Sequence, residues 1–257
     1  MIKGDNMKKK AFTLAEVLIT LAIIGVVAAM TMPTLIQNYR KKALATQTQK
    51  FYSMMSQAVK QYMADYGVDD LRHTPLASDN YEGSYDDNSN YTPANGEIES
   101  IRDFVTKYLK VAKECDHDAN DCFAPEYQAW DGRKPDGENF LNFTTESNMG
   151  NRRDYVLADG SVIRIGYYYA MGPIDLYVDV NGKKGPNRNG YDLWLMSIFY
   201  DGSIDEVMLT PECRKENECF GGSLTESRES RFENCKNYIS YGGCFGHFLN
   251  NNFKFDY

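Results

Sequence analysis

One carboxylate inside an apolar run constrains this chain more than any other feature. From Ala11 to Ile36 the only charged residue is Glu16, with Lys8, Lys9 and Lys10 before the run and Arg40, Lys41 and Lys42 after it. A run of that length can cross a bilayer as one helix. Burying a carboxylate in lipid costs on the order of 1–3 kcal/mol, depending on depth. An anchor alone has no use for such a residue. Glu16 therefore reads as functional and in need of a cationic partner.

The lysines are one source of positive charge. A cut between Ala11 and Phe12 would supply a better one, an α-amine with a pKa of about 7.7–8.0 one helical turn from Glu16. The pair could close within one chain or between neighbouring chains. Removing one partner of a buried pair typically costs about 3–5 kcal/mol.

With those residues in view, Lys8 to Leu21 resembles the leader and cleavage site of type IV pilins and type II secretion pseudopilins. The matching positions are the basic leader Lys8–Lys10, the small residue Ala11, then Phe12, Thr13, Leu14 and Glu16. Gly25 and Pro33 stand where pilin helices carry two helix-weakening residues. Ala11 departs from the glycine usual before the cut. The resemblance covers about the first quarter of the chain and implies an α+β pilin-like fold. Its long helix would pack on a C-terminal antiparallel sheet domain with a disulfide-stapled irregular tail. It also implies cleavage by a prepilin peptidase, methylation of Phe12 and export of the carboxyl side from the inner membrane. Assembly onto other pilin-like subunits would follow, through Glu16, Gly25 and Pro33 and an inner-membrane platform. An ordinary secretory signal is the competing reading, since Val27-Ala28-Ala29 offers a conventional cleavage site. That reading leaves Glu16 unexplained.

The segments expected are a leader over 1–11, a membrane and assembly helix over 12–36, its amphipathic continuation over 37–66, and a globular domain over 67–257. Phe51, Met55, Ala58, Val59, Tyr62 and Tyr66 form an apolar stripe at three- and four-residue steps. Gly67 is a natural stop. Residues 67–96 read as a surface loop, and 97–113 as a second amphipathic helix with Asn95 as its cap. Beyond Asn139 the pattern shortens to strands at 154–157, 161–169, 174–180, 191–200 and 203–209. Hairpin turns are expected at Ala158-Asp159-Gly160 and Asp201-Gly202.

Net charge is −8 with no basic stripe, which disfavours general nucleic-acid binding. The six cysteines all follow the apolar run, as befits an oxidising compartment. Spacing favours Cys115 with Cys122, Cys213 with Cys219, and Cys235 with Cys244, although six cysteines allow 15 pairings. No Cys-x-x-Cys, His-Glu-x-x-His, Gly-x-Ser-x-Gly or P-loop occurs, so nothing points to an enzyme. The glycine-rich loop 179–192 resembles a segment of many pseudopilin-like proteins, some of which bind calcium in this region. Asp179, Asn181 and Asp192 are oxygen ligands of the kind calcium prefers, but Lys183, Lys184 and Arg188 oppose a cation. The plainer reading is a turn built on Asn181-Gly182 and Gly185-Pro186. Loop 116–121 offers a weaker, incomplete calcium pattern. Tyr167, Tyr168, Tyr169 and Tyr177 read as sheet packing or as a recognition surface. That surface is the basis of a rival function, a membrane-anchored or secreted binding module that does not polymerise.

Overall fold

The computed structural model describes residues 13–76, 84–85, 91–92, 95–115, 122–133, 152–168, 172–207, 209, 227–237 and 242–257. It divides into two compact units, 1–42 and 43–257. The longest element, α1, runs from Leu14 to Tyr66 and belongs to both. At 1.5 Å per residue it is about 80 Å long.

Over residues 14–36 of the first unit α1 is apolar on all sides, apart from Glu16. Leu14, Leu18, Ile19, Leu21, Ile23, Ile24, Met30 and Leu35 are each at least 58% exposed. A helix with no polar face belongs in lipid or in a helix-lined core. Its length and composition suffice to cross a membrane. Thr20 and Thr31 donate their hydroxyls to the carbonyls of Glu16 and Val27, both at 2.9 Å. These bonds satisfy both hydroxyl donors within the helix itself. The helix is continuous through Gly25 and Pro33.

In the second unit the same helix becomes amphipathic, burying Leu44, Thr48, Phe51, Met55, Ala58, Val59, Tyr62 and Met63. Tyr66, expected in the stripe, is 48% exposed and lies against the ring of Tyr62. The stop is at Gly67, where φ is +66°. The Gly67 N–H donates to Ala64 O and the Val68 N–H to Met63 O, the paired bonds of a Schellman cap.

The segment 67–96 is not a bare loop. It contains a 3₁₀ turn at Leu71–His73 and a two-stranded ribbon, β1 (Ser84–Tyr85) with β2 (Tyr91–Thr92). Leu71 and Leu76 are fully buried. The second helix, α2, spans Asn95–Tyr108 rather than 97–113. Asn95 is its first residue. The last part of the helical pattern is a strand, β3 (Val111–Glu114), which pairs antiparallel with β4 (Arg152–Leu157). Here strand pairing overrides a three-residue period that is equally legible as alternation.

The remaining strands are β5 (Val162–Tyr168), β6 (Gly172–Asp179), β7 (Leu193–Ile198) and β8 (Ile204–Glu206). They form a six-stranded antiparallel sheet in the order β3-β4-β5-β6-β7-β8. The expected hairpins at 158–160 and 201–202 are present. One sheet face packs Tyr155, Ile163, Ile165, Leu176, Val178, Trp194 and Met196 with the buried residues of α1 and α2. The other face packs Val162, Leu193, Leu195 and Val207 with Cys115, Cys122, Phe123 and Tyr127.

The second face also carries buried charge. Register places Arg152, Gly166, Asp175, Ser197 and Asp205 in one row across β4 to β8. Arg152 lies 3.5 Å from Asp175, and the Ser197 hydroxyl donates to Asp175 at 3.2 Å. In the next row Arg164 grips both oxygens of Asp154 at 2.8 Å.

The tail was expected to be stapled and irregular. Over 227–257 it is stapled but helical and cored, with α3 (Arg228–Asn237) and α4 (Cys244–Asn250). Phe248 and Phe255 stack on Trp194, and Phe253 meets Tyr52 of α1. Aromatic spacing alone, Phe245, Phe248, Phe253 and Phe255, could have shown that this segment packs.

Candidate functional site

Glu16 sits at N3 of α1, with Thr13 as the N-cap. The backbone N–H and the hydroxyl of Thr13 both donate to one Glu16 oxygen at 2.9 Å, and the Glu16 N–H donates to the Thr13 hydroxyl at 3.2 Å. This reciprocal arrangement is a capping box. The Thr-x-x-Glu spacing that makes it is legible in the sequence. The box fixes the helix start and holds the carboxylate at its tip. No side-chain cation reaches Glu16 among the described residues. Ala11 and Phe12, the expected cleavage and methylation residues, lie outside them. A Cβ added at Gly25 would meet nothing within 4 Å. That side of the helix is open to a neighbour.

Two of the three expected cysteine pairs are bonded, Cys115 with Cys122 and Cys235 with Cys244, at Cα separations of 6.1 and 5.0 Å. Cys213 and Cys219 lie outside the described residues, as does the acidic loop 116–121. The Cys235–Cys244 bond joins α3 to the first residue of α4. Beside it, Glu206 accepts the backbone N–H groups of Gly243 at 2.6 Å and Gly246 at 2.8 Å. Burial pushes the Glu206 carboxyl up to about 7, against those two bonds and the attraction of Arg231. Gly243 has φ +97°, and a Cβ there would come within 2.0 Å of Arg231 O. Asp205, the adjacent residue of β8, binds Arg228 of α3 at 2.6 Å. This clamp on the tail was not read from the sequence, because its partners are 23 to 40 residues apart.

The glycine-rich loop brings its three candidate ligands into one turn. Asp179 accepts the Tyr127 hydroxyl at 2.6 Å and the Asn181 N–H at 3.1 Å. Asp192 accepts the N–H groups of Asn187 at 2.8 Å and Arg188 at 2.6 Å. Three of the four carboxylate oxygens therefore brace the turn, and the fourth ties it to Tyr127. Burial first, and for Asp179 the charge of Asp192, raises both carboxyls above the ordinary range. The Oδ1 atoms of Asn181, Asn187 and Asn189 are buried without a hydrogen-bond partner. Lys183 and Lys184 are exposed, and Arg188 lies over the Tyr191 ring. Two buried carboxylates and orphaned amide oxygens fit the hard-oxygen preference of calcium. No group of three or more His, Cys, Asp or Glu side chains among the described residues is placed to hold a metal.

Tyr177 is half-buried beneath the Arg152 guanidinium, so it packs the sheet. The side chains of Tyr167 and Tyr168, and all of Tyr169, lie outside the described residues.

Comparison with known proteins adds two findings. Residues 34–132 match a family of unknown function, DUF6613. That segment takes in the rest of α1, α2, β3 and the Cys115–Cys122 bond. No curated protein and no solved structure matches the chain significantly. Residues 6–32 match the prokaryotic N-terminal methylation motif, and the chain thus carries the signature of type IV pilins and pseudopilins.

Proposed function

We propose that this chain is a structural subunit, a minor one, of a type IV pilus or type II secretion pseudopilus. It is made as a single-pass inner-membrane precursor. A prepilin peptidase cuts it before Phe12, and the new amine is methylated. Its first helix then leaves the bilayer for the core of the filament, guided by the assembly platform. The observation that carries this reading is Glu16, an acid with no cationic side chain beside it among the described residues, at the tip of a helix exposed on every side. The amine of Phe12 on an adjacent copy is the partner it lacks. Methylation leaves that amine cationic, so the attraction persists. The large domain with its disulfides leans the reading toward a minor subunit.

Amino-terminal sequencing of the membrane-extracted protein tests the processing step. A mature chain beginning at Phe12 is expected. One beginning at Met30 would make the protein an ordinary secreted one.

We also propose that the turn at Asp179 and Asp192 holds calcium, with Asn181 as a further oxygen ligand. The ion would offset the repulsion of two buried carboxylates and stiffen the turn. Calcium should raise the thermal midpoint by several degrees, and Asp192→Asn should abolish the rise. A midpoint indifferent to calcium and to chelator leaves the turn closed by its own donors alone.

A further inference from the structure

The charge of this chain is sharply divided along its length. Residues 1–64 hold nine basic and two acidic side chains, a net of +7, whereas residues 65–257 hold 19 and 34, a net of −15. Between Glu16 and Asp65 there is no acid at all. The basic residues nearest the apolar run are Arg40, Lys41 and Lys42, one turn past Ile36. Tyr39 stands with them, 73% exposed on α1, and Arg40 and Lys42 are exposed as well. From Glu16 to Arg40 the helix rises about 36 Å, somewhat more than a hydrocarbon core of roughly 30 Å. An aromatic ring followed by three cations therefore falls at the depth of the headgroups.

Such a collar has a cost. Positive residues flanking the exported end of a span oppose the orientation that the leader lysines favour. Glutamine would serve solubility equally well there. We propose that Tyr39, Arg40, Lys41 and Lys42 form a docking collar for anionic phospholipid headgroups at the carboxyl end of the membrane span. The collar takes the phosphodiester and its negative charge, while Tyr39 sits at the ester level. Each Lys or Arg near an anionic surface favours it by about fivefold, so three are enough to select lipids. Lipid held there tethers the subunit until assembly draws the helix out. This inference rests on the membrane-span reading of α1.

The test uses the full-length chain in vesicles of phosphatidylcholine and in an equimolar mixture with phosphatidylglycerol. Spin-labelled forms of each lipid report which is immobilised by the protein. Phosphatidylglycerol should be preferred by at least about fivefold, the share of a single cation, and less so at high salt. K8Q/K9Q/K10Q, which removes the share of the leader lysines, should leave a preference, and adding R40Q/K41Q/K42Q to that variant should bring it near parity. Equal immobilisation of both lipids by the unaltered chain overturns the inference, as does a preference already lost in K8Q/K9Q/K10Q or one that survives R40Q/K41Q/K42Q in that background. A chain that enters neither vesicle overturns the span itself, and the collar with it.

Discussion

The two units of this chain treat charge in opposite ways. In residues 43–257 buried charge is common and is matched by charge or by backbone donors: Arg164 with Asp154, Arg152 with Asp175, Arg228 with Asp205, and Glu206 with two backbone N–H groups. In the apolar stretch of α1 there is one charge, and its only described hydrogen-bond partner is a threonine. A single subunit satisfies the first set alone. Under the proposed function a neighbouring copy completes the second, and that difference would separate a folded domain from an assembly element.

The sharpest way to break the comparison is to separate the charge of Glu16 from its capping role. Glu16→Gln keeps a cap acceptor and removes the charge. If the partner is cationic, incorporation into filaments should fall by a hundredfold or more, the equivalent of about 3–5 kcal/mol. Sedimented filaments probed for the variant give the measurement, and unchanged incorporation would return Glu16 to a purely local role.

Cys235→Ser tests the domain side. It should lower stability by about 2–5 kcal/mol and expose amides of 227–257 to exchange. An unaltered unfolding midpoint would show that the aromatic packing suffices without the bond.

Glu206 gives the next effect. Its folded carboxyl is raised to about 7 from an ordinary value of 4.5, so the unfolded chain releases the proton first. Stability from this group is full below pH 4.5 and is lost as pH rises to about 7. The loss amounts to about 3 kcal/mol for a shift of that size. Asp175, raised to about 6 by burial, acts in the same direction. Glu206→Gln should flatten this slope in denaturant titrations between pH 4.5 and 7, and an identical slope would assign it elsewhere.

Thr13→Ala should matter least, at about 1 kcal/mol, because it removes a cap and keeps the charge. Assembly should weaken no more than about fivefold. A larger loss would make the capping box, rather than the charge, the decisive feature.

Much of this was legible in the sequence because it is local. The apolar run, the Gly67 stop, the two hairpins and the two described disulfides each depend on residues within a few positions of one another. What escaped reading depends on partners far apart. Leu109 and Ala112 fit a helical face, yet β3 begins at Val111 because β4, some 40 residues on, offers its edge. The buried charges of the sheet look like ordinary solvent-facing alternation until the segment around Phe123 and Tyr127 covers them. Glu206 reads as an exposed strand residue until α4 arrives. The capping box belongs with the local features, since Thr13 and Glu16 are three residues apart.

The six strands neighbour one another in the order of synthesis, with none inserted between earlier ones. From β4 to β8 a chain delivered amino end first can close each ladder soon after the second strand emerges, and among the described strands only β3 waits across a long connection for its partner. Topologies of this kind keep loop-closure entropy low and folding fast. Among the described elements the pair α3 and α4 follows the last strand, so the Cys235–Cys244 bond would form after the ladders of the sheet.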